Sequence, residues 1–478
     1  MAGYPLMDSS GNGRAVSLGK RLGAATCGME FRLSLLLAGL VFIAYLNSFP
    51  GAFHFDDYPW LLENPLVRGP SFPYVAFLQH YGGRPLTFWS FYWNHKLFGE
   101  DAFSYHLISV ALHSVSVVCV FLLALRFTRR RFQAFGAALI FALHPLQSQA
   151  VNYIWSRSVV LMSCFGLLSL LLARKRPLAA LICWQLAMWS RSEAVMLAVF
   201  LWWIRPDLRK WAVGLALLNT AAFFCGLLVF RPGDFAWNHP DPKGYLLQQG
   251  NVFWQYVALV VRPAGLTVDH DFTPQPRWLA LAGILALLAV SCCAYRLRSR
   301  APVPVAGWFW FVALMTPSLV VPNLDVVNES RSYLALAGLA LVFVWFLDRI
   351  QSGRRAALIQ TVVLCTVAAG MLGLTRQRNQ IWKDDVALWQ DAVLKAGTKW
   401  RTHYNLGAAL SRRGNSAEAE VEFQNARRLN AGDDFSAAGL GYCAELRRDW
   451  ETSRRFYLEA LKLNGSNQYA RQRLAALQ

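Results

Sequence analysis

Eleven apolar runs alternate with polar segments along the chain. They lie near 33–49, 104–125, 134–146, 158–173, 178–190, 194–204, 211–230, 279–295, 303–321, 333–347 and 357–374. A bilayer-crossing helix needs about 20 residues, with a range near 17–25. Several runs are shorter, so their ends are expected to reach into flanking polar residues. After about residue 376 the long runs stop and the chain turns charged, with helical periodicity. This pattern predicts an all-α protein: a polytopic bundle of about 11 transmembrane helices, then a separate polar helical domain.

Basic clusters orient the bundle. They are "RFTRRR" at 126–131, "RKR" at 174–176, "RPDLRK" at 205–210, "RLRSR" at 296–300 and "DRIQSGRR" at 348–355. Lys and Arg collect in cytoplasmic loops, so an even number of crossings should separate successive clusters. Two short helices turning at "RSE", Arg191 to Glu193, satisfy that parity. They also keep two charges out of the bilayer centre, where each costs roughly 2.5–3.5 kcal/mol on insertion scales. By the same parity, 245–261 should not span and reads as an interfacial or re-entrant helix. The N-terminus then lies inside and the C-terminus outside. Acids, histidines and aromatics gather in the outer loops, which makes that face the candidate reaction face.

Composition supports a membrane body. Of 478 residues 55% are hydrophobic, and only 16% are charged, well below the quarter usual in soluble domains. The net charge of +19 fits cytoplasmic loops and calls for no nucleic-acid partner. The nine cysteines form no CxxC and read as small core residues. No cleavable signal is expected, because the first apolar run is long and leads into a multispanning chain.

The C-terminal segment repeats itself at 34 residues. Leu406 and Gly407 recur as Leu440 and Gly441, Phe423 as Tyr457, and Ala426 as Ala460; Trp389 and Ala392 sit one period earlier. A 34-residue period with this order is the tetratricopeptide pattern. The expected organisation is a cytoplasmic tail (1–30), a membrane body (31–376) and a tetratricopeptide-repeat domain (377–478).

Several segments carry a family resemblance: "FHFDDYPWLLENPLV", "GRPLTFWSFYWNHKLFG", "FALHPLQSQAVNYIWSRSVVL", "GLTVDHDF", "NESRSYLALAGLA" and "RNQIWKDDVALWQDAV". The chain resembles the transmembrane and tetratricopeptide-repeat O-mannosyltransferases, and more closely their bacterial relatives. These are GT-C glycosyltransferases that use a polyprenyl-phosphate sugar. The resemblance implies a GT-C-type fold and an inverting transfer of a sugar, mannose in that family, to a hydroxyl of a protein acceptor. It implies a membrane-lipid environment, with the active site and C-terminus periplasmic in a bacterial inner membrane, or luminal in the endoplasmic reticulum. It calls for no cofactor and no metal site, a divalent ion being left open. One departure is that the family's Lys-Glu pair reads Arg191-Ser192-Glu193 here.

Such a transfer needs a base for the acceptor hydroxyl and cations for the departing phosphate. Asp56 or Asp57 is the candidate base; the competing reading is that they cap a helix starting at "YPWLL". Arg331 is the candidate phosphate ligand, because guanidinium is permanently charged and grips two oxygens at once. Its alternative is a salt bridge to Glu329. Arg84, Arg191, Glu193 and Glu329 join the substrate-binding set, with Tyr333. Asp269, His270 and Asp271 are expected to touch sugar or acceptor, a metal reading of this loop being weaker. His106, His113 and His144 are expected to pack in the bundle with satisfied rings. Competing functions are a transporter, a non-catalytic scaffold recruiting partners through its repeats, and transfer to a glycan or lipid acceptor.

Overall fold

A computed structural model describes residues 10–70, 84–229, 241–323, 325–350 and 353–477. The start of the tail, the two glycines before Arg84, the last residue of the 211–230 run and two residues of "DRIQSGRR" lie outside them. Among the described residues every regular element is a helix.

Among the described residues six helices are long and apolar enough to cross a membrane: Gly28–Ser48, Ala102–Thr128, Ile154–Leu172, Arg277–Arg296, Pro302–Val320 and Arg354–Ile381. Arg131–Leu143 and Pro145–Asn152 make a seventh if the pair, bent by 52°, is one span. Among the described residues the apolar runs fall largely on helices, not all of them of crossing length. Pro177–Ser190, Ser192–Ile204 and Leu336–Leu347 are shorter apolar helices. They stop where charge appears, at Arg191, Arg205 and Asp348. Arg277–Arg296 buries only Ala280 and Gly283 and leaves Leu281, Leu285 and Leu288 exposed. An apolar helix with an uncovered apolar flank belongs against lipid. The chain is a multi-pass integral membrane protein.

At Arg191 the chain reverses. The Trp184 indole N–H donates to the Ala194 carbonyl at 2.9 Å, a contact that a continuing straight helix would not allow. Pro242–Val261, expected as an interfacial or re-entrant helix, is one continuous 20-residue helix. It lies directly on Arg277–Arg296, where Gly250 and Gly283 face each other; a Cβ on Gly250 would come 2.4 Å from the Ala280 carbonyl oxygen.

The last fifth of the chain stacks helices in pairs. Trp400–Arg412 and Ser416–Leu429 recur 34 residues later as Asp434–Leu446 and Trp450–Leu463, preceded by Asp385–Ala396 and followed by Gln468–Ala476. The repeated residues make the inner faces: Trp389, Ala392, Phe423, Ala426, Tyr457 and Ala460 are all buried. Each repeat glycine is required by its aromatic partner. A Cβ at Gly407 would meet the Phe423 ring at 2.9 Å, and one at Gly441 the Tyr457 ring at 2.8 Å. The link to the bundle is rigid: Arg354–Ile381 runs unbroken past residue 376, and the Asp384 carboxylate caps the next helix at the Val386 N–H.

Candidate active site

Loops from four places meet at one end of the bundle. The first, 49–64, leaves the first span. Its wide helical turn Tyr58–Leu62 has Asp57 at the cap position, but the Asp57 side chain makes no bond to that turn. Instead one carboxylate oxygen accepts from the His54 N–H at 2.9 Å, and the other from the Trp155 N–H at 2.8 Å. Asp57 is fully buried. Burial pushes its carboxyl up to about 7, against those two N–H groups and His54, which pull it down. Asp57 therefore ties the first loop to the second, and neither oxygen is offered to a substrate.

Asp56 differs. It is only partly buried, and one oxygen accepts from the Tyr153 hydroxyl at 2.8 Å. Its carboxyl is raised above the ordinary value, chiefly by burial; Tyr153 opposes this, Asp325 adds to it, and Arg401 and Arg84 oppose it. One anchored carboxylate with an elevated proton affinity suits a general base. Tyr153 holds its orientation. A wall of rings stands beside it: Trp60 stacks on Trp155 with centroids 5.5 Å apart, and the Arg84 guanidinium sits 6.0 Å from the Trp155 centroid.

A pocket forms between bundle helices. It is lined by Arg191, Glu193, Arg331 and Ser318 on its polar side and by Val159, Met162, Leu314, Leu334 and Ala335 on its apolar side. Three of the expected site residues, up to 140 residues apart, thus share one cavity. Arg191 pairs with Glu193 at 2.6 Å. Arg331 lies near the Tyr245 and Tyr256 hydroxyls and donates to the Val326 carbonyl at 3.4 Å. Among the described residues it enters no ion pair. Arg84 connects this pocket to Asp56. Burial, then the neighbouring Arg191, lower its guanidinium to about 10, while Glu193 and Asp56 act to raise it.

Five expected ligands make their contacts elsewhere. Glu329 does not pair with Arg331: fully buried, it accepts from the Thr267 N–H at 2.6 Å and meets His270 Nε2 at 3.0 Å. Asp269 is held by Lys399 and by both arms of Arg401, at 2.8 and 2.7 Å. Asp271 accepts from the Thr398 hydroxyl. The Asp-His-Asp loop therefore docks the repeat domain and presents no free carboxylate pair to sugar or acceptor. Tyr333 is also in the core, its hydroxyl 2.7 Å from His113 Nδ1. His113 and His144 have hydrogen-bonded rings, as expected. His106 is buried against the backbone of Gly51 and Ala52. No group of three or more His, Cys, Asp or Glu among them is placed to hold a metal ion.

Sequence reasoning passed over Tyr153, Asp325, Arg401 and Arg157. Tyr153 and Arg157 both lie inside "FALHPLQSQAVNYIWSRSVVL". Arg157 is fully buried under the same loop, donating to Asn94 at 2.9 Å and to the Tyr105 carbonyl at 3.0 Å. Arg401 and Asp325 are bonded to each other across 76 residues of chain, and no local pattern marks such a pair.

No family profile matches the chain. It resembles the protein O-mannosyl-transferase F38B6.6 of Caenorhabditis elegans, with 25% identity over 83% of this chain and 62% of that protein. It is 23% identical to the protein O-mannosyl-transferase Tmtc3 of Drosophila melanogaster over 88% of this chain and 58% of that one. Human protein O-mannosyl-transferase TMTC1 is 24% identical, over 82% and 54%. The chain thus spans about three fifths of the length of these curated relatives. Among solved structures, ArnT from Cupriavidus metallidurans bound to undecaprenyl phosphate aligns over 91% of this chain and 80% of that one, with 14% identity and a TM-score of 0.38, a likeness too slight to bear on function.

Proposed function

We propose that this chain is an inverting glycosyltransferase of the GT-C type, moving a sugar from a polyprenyl-phosphate donor to a hydroxyl of a protein acceptor. The observation that carries the reading is the pocket lined jointly by Arg191, Glu193 and Arg331 and by apolar side chains. A phosphate on an isoprenoid tail has this dual character: a charged head for guanidinium groups and a greasy chain for Val159, Met162 and Leu314. The names of the curated relatives support the reaction class and mannose as the sugar.

In the proposed step the acceptor oxygen attacks the anomeric carbon from the face opposite the phosphate. A carbon–oxygen bond forms to the acceptor as the bond to the phosphate oxygen breaks. Asp56 takes the hydroxyl proton, and polyprenyl phosphate leaves with the electron pair. Arg331, Arg84 and Arg191 supply positive charge where negative charge develops, the main electrostatic task of such a site. Glu193 keeps Arg191 in place and is available to the sugar hydroxyls. The repeats hold an extended acceptor on the concave side of their stack. The parity of basic clusters supports the outer face, periplasmic or luminal, for this end of the molecule. The membrane body comprises 31–376 and the repeat domain 377–478.

The test is direct. Purified protein in nanodiscs is incubated with polyprenyl-phosphate [³H]mannose and a Ser/Thr-rich peptide. Labelled glycopeptide and free polyprenyl phosphate should appear in equal amounts. Peptide binding with no donor turnover would instead support a scaffold.

A further inference from the structure

Resting on that reading, we infer that the first repeat helices complete the active site: Asp385, Arg412 and Arg401 are positioning residues that hold the base loop and the phosphate loop in register. Two separate latches lead to this.

The first latch reaches the loop of Asp56. His54 Nε2 lies 2.7 Å from the Trp382 carbonyl oxygen, and His54 Nδ1 lies 3.3 Å from Asp385. Asp385 is in turn bonded to Arg412, whose guanidinium covers the Tyr58 ring at 4.7 Å. Between His54 and Asp56 stands Phe55 with φ of +43°, its ring edge-on to Trp389 at 5.8 Å. A bulky non-glycine residue holds that left-handed backbone only when its surroundings fix it. Here the repeat domain supplies the fixing contacts, one residue before the base.

The second latch reaches the loop of Arg331. Arg401 bonds Asp325 and Asp269 together, and Lys399 adds a bond to Asp269. Asp325 lies six residues before Arg331. Both latches stand on helices joined to the bundle through the unbroken Arg354–Ile381 helix and one capped turn. A helix pair on a rigid stem that grips two facing loops sets the distance between them. A domain that only captured acceptor would need neither grip.

The experiment compares full-length Asp385→Asn, Arg401→Gln and Arg412→Lys with the parent chain in nanodiscs. Backbone hydrogen exchange is read first, because it needs no turnover. Asp385→Asn should raise exchange in 51–58 and leave 325–333 protected; Arg401→Gln should do the reverse. Steady-state transfer from polyprenyl-phosphate mannose to a short Ser/Thr peptide is read second. Asp385→Asn should lower kcat by roughly ten- to a hundredfold, the usual cost of a slightly misplaced group, with donor KM little changed. Arg401→Gln should raise donor KM as well. Arg412→Lys keeps the charge beside Asp385 and should restore most of the kcat lost in Arg412→Ala. Exchange unchanged in both loops, or a rise in acceptor KM alone, overturns the inference. A parent chain that transfers nothing, with the two exchange patterns as stated, overturns the reaction assignment and leaves the latches standing.

Discussion

At Asp56 the contact that matters is the Tyr153 hydroxyl. Asn in place of Asp56 keeps an oxygen for that hydroxyl, so Asp56→Asn should fold normally and lose transfer; unchanged melting with undetectable product is the expected pair of readings. Asp57→Asn should behave differently. Its amide can accept from only one of the His54 and Trp155 N–H groups and turns an NH₂ toward the other. Leaving a buried donor unpaired costs about 1–3 kcal/mol, so this variant should melt earlier in detergent. Adjacent in sequence, the two carboxylates could not be told apart until the partners of each were known. Tyr153→Phe tests the base through pH. The hydroxyl stabilises the ionised carboxylate, so removing it raises the pKa of Asp56, already above its ordinary value. Activity requires the ionised form, and the acid limb of the kcat/KM profile should move to higher pH. For Arg331, Lys keeps the charge but loses the two-pronged grip. Arg331→Lys should raise donor KM roughly ten- to a hundredfold, the worth of one charged hydrogen bond of about 1.5–3 kcal/mol.

Among the elements, helices were legible where packing repeats locally. The 34-residue period appeared in sequence because each aromatic meets a glycine of the same or neighbouring pair, as Phe423 meets Gly407. The reversal at Arg191 was legible because charge is costly in a bilayer. The loops were not. Asp269 and Asp271 stand about 130 residues from the Lys399, Arg401 and Thr398 side chains that hold them, and "DHD" reads the same whether it binds a ligand or a neighbouring domain. The short runs were legible as short: the helices that carry them end at Arg191, Arg205 and Asp348. The Gly250–Gly283 contact makes an element-level prediction. Gly250→Ala would place a methyl 2.4 Å from backbone oxygen, and backbone cannot yield as a side chain can. Overpacking of this kind costs about 1–3 kcal/mol, read as a lower melting temperature with donor KM unchanged.

For the whole molecule, the membrane bundle supplies the apolar pocket and its arginines, the loops supply Asp56, and the repeat stack closes over the same end. The candidate site and the repeats therefore lie at the same end of the bundle. A chain ending at residue 398 lacks Lys399, Arg401 and Arg412 and should lose donor cleavage together with transfer. The central claim is that the Arg191–Glu193–Arg331 pocket and Asp56 form one reaction centre for a lipid-phosphate sugar. It is tested most directly by following release of polyprenyl phosphate from polyprenyl-phosphate [³H]mannose in the presence of Ser/Thr peptide, in the parent chain, Asp56→Asn and Arg331→Lys. The account predicts release and glycopeptide in the parent, donor binding without release in Asp56→Asn, and weakened donor binding in Arg331→Lys. Release at the parent rate in Asp56→Asn, with donor affinity unchanged in Arg331→Lys, would contradict it.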